Sequence, residues 1–180
     1  MGKSKHEGWS MAPFLALLAC AALFVLASTR YLPPVVASHF GAAGQANGFM
    51  PRSAYVLVML VVSVLAPLFI TVVPLRAFRR PDVRINLPNS QYWLAAERCE
   101  ATLDYLSRQV VRFASMLTLF LCYVQWLVVV ANRVVPPKLP MQLLVVGLVV
   151  YLASTLIWLV AFRRHFRKAS REGVERTTEP

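Results

Sequence analysis

The chain has 180 residues, 58% of them hydrophobic and 15% charged, with a mean hydropathy of +0.57. A soluble domain of that length carries about 25% charged residues, and the apolar excess here is gathered in runs long enough to cross a bilayer, about 20 residues each. That predicts one bundle of about four spans and leaves no room for a second soluble domain. The net charge of +11 does not point to nucleic acid. The basic residues cluster where the apolar runs end, which is the placement that orients membrane proteins and touches anionic headgroups.

The first nine residues are polar, with Lys3, Lys5 and His6, and an apolar run follows that predicts a span over 11–28. Pro13 falls in its first turn, where a missing N–H costs nothing. A basic start followed by an apolar run also describes a secretory signal, and Val25-Leu26-Ala27 resembles a cleavage site. The run exceeds a usual signal core, so an uncleaved first helix is expected.

Residues 31–53 form the one sizeable polar, Gly- and Pro-rich segment between two apolar runs. Leu32-Pro33-Pro34 ends the first helix, because proline cannot continue it. Gly41, Gly44 and Gly48 provide positions able to take positive φ, and Asn47-Gly48 reads as a turn dipeptide. Phe49 and Met50 return the chain to the membrane. The segment is expected to fold back as a compact cap on the helix ends, its aromatics partly buried.

A second span is predicted over 55–75. Pro67 sits within it and frees the carbonyl four residues earlier, at Ser63. That gives either a kink at a site or a membrane proline tolerated by its neighbours. The basic block Arg76, Arg79, Arg80 and Arg84 follows.

From Gln91 to Arg108 apolar residues recur in steps of three and four, at Tyr92, Trp93, Ala96, Cys99, Leu103 and Leu106, with Glu97, Arg98, Glu100, Asp104 and Arg108 on the other face. The helix is expected to start at Pro88-Asn89-Ser90 with an Asn or Ser side-chain cap. The pattern suits an interfacial amphipathic helix over 91–108, Tyr92 and Trp93 dipping into the leaflet and Glu97 and Arg98 facing water.

The third span is predicted over 110–131. Gln125 lies deep in it and is expected to hydrogen-bond another helix, worth on the order of 1 kcal/mol. A short connection with Arg133, Lys138 and prolines leads to a fourth span over 141–162. Residues 1–168 thus form one membrane domain, and 169–180 read as a disordered charged tail.

Four spans put both termini on one side. All but four of the 19 Lys and Arg fall there, the others being Arg30, Arg52, Arg133 and Lys138. The positive-inside rule makes that side cytoplasmic and turns the 31–53 loop outward. All eight Asp and Glu also fall on the cytoplasmic side. Trp9 and Trp158 are expected near the inner boundary and Trp126 near the outer one.

Leu32-Pro33, His39-Phe40, Gly44 and Asn47-Gly48-Phe49 resemble the "LP…HF…G…DGW" signature of a bacterial membrane domain of unknown function. That domain is typified by the N-terminal part of the sporulation-delaying toxin immunity protein and also occurs in stand-alone four-span members. Asn86-Leu87-Pro88-Asn89 and Tyr92 to Arg98 are similar to the "N-P-N…YWLAPER" stretch of the stand-alone members. Gln45 and Asn47 replace acids frequent in the family, and Phe49 replaces its Trp. The resemblance implies an all-α integral membrane four-helix bundle in the bacterial inner membrane, and little chemistry. The additional membrane region of the full immunity protein is not present after the fourth span, so immunity itself does not carry over.

His39 is the one ionisable group in the centre of the outer loop. It either binds a ligand or senses pH, or it holds the turn by a hydrogen bond to a loop carbonyl. No Ser/His/Asp set, paired carboxylates, phosphate-cradling loop or metal-ligand spacing is present, and the cysteines Cys20, Cys99 and Cys122 are too scattered for a disulfide framework. No enzyme activity, cofactor or metal is expected. The function expected is binding or signalling, or an immunity-like role. His39, Phe40, Asn47 and Phe49 would meet an extracytoplasmic peptide, lipid or partner membrane protein, on a loop shaped by Pro33, Gly44 and Gly48. The alternative is a small transporter or a subunit of a transport complex, with Pro67 as a gating kink and Gln125 facing the path.

Overall fold

A computed structural model describes residues 10–80 and 85–175, with 168–175 as backbone only. The residues Lys3, Lys5, His6, Trp9 and Arg84 that entered the sequence reading lie outside these. Four helical stretches are long and apolar enough to cross a bilayer, Ala12–Tyr31, Arg52–Ala77, Cys99–Ala131 and Met141–Arg167. The chain is therefore a multi-pass membrane protein, mostly helical, with one small sheet.

Helix α1 (Ala12–Ser28) has Pro13 in its first turn and buries Phe14, Leu18, Ala21 and Val25, a stripe at steps of four, three and four. It tightens into a 3₁₀ turn, Thr29–Tyr31, and stops where Leu32 becomes extended ahead of Pro33. The expected loop is then a β-hairpin: β1 (Val35–Phe40) pairs antiparallel with β2 (Ala46–Pro51). The four-helix bundle is as expected, and the hairpin is a small addition to it. Val35-Val36 begin β1, a β-branched pair suited to a strand. The turn is Gly41–Gln45, closed by the Gly44 N–H to the Gly41 carbonyl at 2.8 Å and the Gly41 N–H to the Gln45 carbonyl at 2.9 Å. Asn47-Gly48 is thus not the turn but lies within β2. The register slips by one residue at Ser38 and again at Asn47, so each strand carries one extra residue.

Helix α2 (Arg52–Leu60), a π-helical turn (Val61–Leu65) and α3 (Ala66–Ala77) form one continuous span. Pro67 has no N–H to give, and the chain absorbs this by widening the preceding turn, where the Ala66 N–H reaches back to the Val61 carbonyl. The Thr71 hydroxyl donates to the Pro67 carbonyl at 2.9 Å.

The expected interfacial helix over 91–108 is not one helix. A single turn, α4 (Ser90–Trp93), is followed by a break, and α5 (Cys99–Ala131) then runs unbroken through the third span. The reason is visible in α5. It is packed from its first turns on: Thr102, Leu106 and Gln109 are buried on one side near its start, and Ala114, Thr118 and Gln125 are buried about a third of a turn round from them, so the segment docks on other helices instead of lying on a leaflet. Asn89 takes the N-cap position of α4 in the left-handed conformation, without a side-chain cap bond. Helix α6 (Met141–Glu175) passes the expected end of the span, so residues 169–175 are helical rather than disordered, and 176–180 lie outside the described residues.

Helices α1, α2–α3 and α5 pack around Phe14, Leu18 and Ala114 at one end and Val25, Tyr55, Met59, Val128 and Val129 at the other. Helix α6 touches this core through α5. Along that seam Phe120 stacks on Tyr151, Phe113 lies against Trp158, and Tyr105 stacks on His165 at 3.8 Å between centroids. Trp158, expected as a headgroup anchor, instead donates its indole N–H to Gln109 Oε1 at 2.8 Å. Trp93 likewise turns inward to His165 and Phe166, and Thr102 Oγ1 donates to its carbonyl. Glu97 is exposed, and Arg98, partly buried, folds over the Tyr92 ring at 4.0 Å.

Candidate functional site

The hairpin sits on the helix ends and is fixed there from four directions. One face of it, Val36, Phe40 and Met50, packs into the core with Val25, Leu32, Tyr55 and Val128. At the edge of β1, the Asn132 side chain mimics a strand: the Ala37 N–H donates to Asn132 Oδ1 at 2.9 Å, and Asn132 Nδ2 donates back to the Ala37 carbonyl at 3.0 Å. At the tip, the Leu139 N–H donates to the Gly44 carbonyl at 2.8 Å, and Gln45 bridges to Lys138. At the base, the Arg52 N–H donates to the Pro34 carbonyl and its guanidinium to the Leu32 carbonyl, at 2.9 and 3.1 Å.

Gly44 is the glycine whose conformation requires it. Its φ is +79°, and a Cβ there would stand 2.5 Å from the Leu139 carbonyl oxygen. Gly48 is needed for room instead: a Cβ would lie 2.9 Å from that of His39. Pro33 ends the 3₁₀ turn and sets the extended path into β1.

Beneath the hairpin lies a polar cluster shared by three helices. The Tyr55 hydroxyl donates to Gln125 Oε1 at 2.6 Å, and Gln125 Nε2 donates to Ser28 Oγ at 2.9 Å. The Ser28 hydroxyl in turn donates to the Val25 carbonyl. Gln125 is fully buried, so it meets other helices as expected and lines no path. Each buried group is satisfied, which suits a fixed joint. Neither Tyr55, Ser28 nor Asn132 was singled out from the sequence. An Asn just after a span, facing a Gly- and Pro-rich loop, was the available signal.

The four residues expected to meet a ligand are divided by the fold. His39, Asn47 and Phe49 are exposed, whereas Phe40 is partly buried and serves as packing. The His39 ring makes no hydrogen bond among the described residues and lies against Gly48, so the turn is held by backbone bonds rather than by the ring. Phe49 is 57% exposed and Val35 59%, on the face opposite Val36 and Met50. Tyr92 and Trp93, by contrast, belong to the far end with Glu97 and Arg98. No group of three or more His, Cys, Asp or Glu able to hold a metal occurs among the described residues.

Residues 16–65 match DUF1648, a domain of unknown function. The match begins within α1, contains the whole hairpin and closes at the π-helical turn, so the element it brackets is the cap described above. The second motif, around Tyr92 to Arg98, falls outside it. No curated protein and no solved structure matches the chain.

Proposed function

We propose that this is a non-enzymatic binding protein of the bacterial inner membrane, with both termini in the cytoplasm and the hairpin as its extracytoplasmic recognition element. The observation that carries this reading is a rigid hairpin presenting uncovered apolar side chains. Phe49 and Val35 stand exposed beside His39 and Asn47, on a platform pinned by Asn132, Leu139, Arg52 and the core. A pre-organised aromatic anchor with polar groups at its side is what a binding surface needs, because little ordering entropy remains to be lost. The favoured ligand is an extracytoplasmic peptide, in keeping with the resemblance to the immunity protein, with binding passed inward as a signal or used as protection. Glu97, Arg98 and the basic far end supply the cytoplasmic contact surface and meet anionic headgroups.

The test is site-specific photocrosslinking from position 49 in native membranes. A single peptide or protein adduct is expected, lost on His39→Ala while the protein stays at normal abundance. Adducts to lipid alone would overturn the reading. The transport alternative draws on the π-helical turn before Pro67, a feature frequent at functional sites. It requires flux in liposomes, and the burial of Gln125 removes its expected path residue.

A further inference from the structure

The hairpin end of the molecule carries cations and no acids. No Asp or Glu occurs between Ser10 and Arg80, or between Tyr105 and Arg171. Among the described residues, Arg30, Arg52, Arg133 and Lys138 make no ion pair with a carboxylate. Two of them converge. Thr29, Arg30, Arg52 and Val56 line a recess of about 400 Å³ between the 3₁₀ turn that ends α1 and the first turns of α2.

The two arginines play different parts there. Arg52 is held: one guanidinium nitrogen donates to the Leu32 carbonyl at 3.1 Å and its backbone N–H donates to Pro34, which leaves its other guanidinium donors available in a fixed place. Arg30 has no hydrogen-bond or ion-pair partner among the described residues and is free to close over an occupant. At the same end of the bundle the Arg133 guanidinium lies 5.4 Å above the ring of Tyr31, the residue after Arg30. The recess falls where one span ends, at Tyr31, and the next begins, at Arg52. That is headgroup depth, with apolar helix directly below in Leu26, Val56 and Leu60.

We propose that this recess is a phosphate-binding site, and that the phosphate is that of an anionic phospholipid in the hairpin-side leaflet. Planar guanidinium forks recognise phosphate oxygens by paired, charge-assisted hydrogen bonds, which a zwitterionic or neutral headgroup rewards less. Val56 and the seam of α1 with α2 receive the start of an acyl chain. The site is separate from the exposed face of β1 and β2, so it stands or falls independently of the recognition role proposed for that face.

Native mass spectrometry of the full chain, released from mixed phosphatidylglycerol and phosphatidylcholine nanodiscs, tests it. One phosphatidylglycerol retained per chain in preference to phosphatidylcholine is expected. Arg30→Gln should lower that preference roughly tenfold, since it removes a charge-assisted pair without touching an internal bond. Lys138→Gln, at the hairpin tip, should leave it unchanged. Arg52→Lys keeps the charge but loses the fork and should give an intermediate loss. Equal retention of the two lipids, or equal effects of Arg30→Gln and Lys138→Gln, would overturn the site in favour of diffuse surface charge. A parallel arm in detergent adds inorganic phosphate alone. Thermal stabilisation by phosphate that Arg30→Gln abolishes, with no lipid preference, would keep the phosphate site but overturn its lipid source.

Discussion

Asn132 stands one residue beyond the end of α5 and satisfies both backbone groups of Ala37, while also donating to the Val128 carbonyl. Ala37 is fully buried, so water cannot replace the lost partner if the amide is removed. Asn132→Ala should cost about 2 kcal/mol, the desolvation cost of stranding a buried donor and acceptor. Amide exchange read by mass spectrometry should speed up over 35–40 and not over 12–28, and unchanged exchange in β1 would refute the clamp. Two glycines of the turn make a sharper pair. Gly44→Ala must both adopt a positive φ and meet the Leu139 carbonyl oxygen, while a Cβ at Gly41 would find its nearest neighbour, Asn47 Nδ2, at 3.6 Å. Gly44→Ala should therefore lower stability by roughly 1–3 kcal/mol. Gly41→Ala should sit within about 0.5 kcal/mol of the parent. Thermal melting in one detergent compares the two directly, and equal shifts would contradict the assigned turn.

Helix α6 is attached differently from the others, since its contacts in the membrane run along one seam with α5. Gly147 is the close point of that seam: any side chain there would overlap the Tyr123 ring, whose hydroxyl donates to the Leu143 carbonyl at 2.7 Å. Overpacking of this kind costs about 1–3 kcal/mol. Gly147→Val should push α6 outward, widening the distance between spin labels on the exposed positions Leu119 and Leu152, and combining it with Tyr123→Ala should bring the distance back. A widening that the second substitution fails to reverse would place the effect elsewhere than at this contact. The seam also explains what was hidden in the sequence around Tyr92 and Trp93. Aromatic residues that dip into a leaflet and aromatic residues that dock on a neighbouring helix share one spacing, and His165 and Phe166, some 70 positions later, decide between them. The β-hairpin was hidden for a related reason. Its strands are short and carry a bulge each, so no strict alternation survives for a sequence reading to detect.

At the scale of the whole molecule the four spans were legible because hydropathy is a property of the chain itself, needing no partner to express it. Gln125 was legible too, since a lone amide deep in a span must find another helix, and it finds Tyr55 and Ser28. What depends on long-range pairing, such as Asn132 with Ala37, or Arg30 beside Arg52, emerges only once the ends of the spans are brought together. The orientation proposed for the bundle rests on charge placement and makes its own prediction. With the hairpin facing out, Ala43→Cys at the tip should react with a membrane-impermeant maleimide in intact cells, since the position is exposed and belongs to no span. The native Cys99, at the opposite end of α5, should react only after the cells are opened. Cys20 and Cys122 lie in the apolar middle of spans, which a membrane-impermeant reagent does not enter, so they add little background. Labelling of Cys99 in intact cells, with position 43 protected, would invert the bundle. It would put the recess of Arg30 and Arg52 in the cytoplasmic leaflet and remove the reason for an extracytoplasmic ligand. The basic far end could not then be explained by the positive-inside rule, because most of the chain's Lys and Arg would lie on the translocated side.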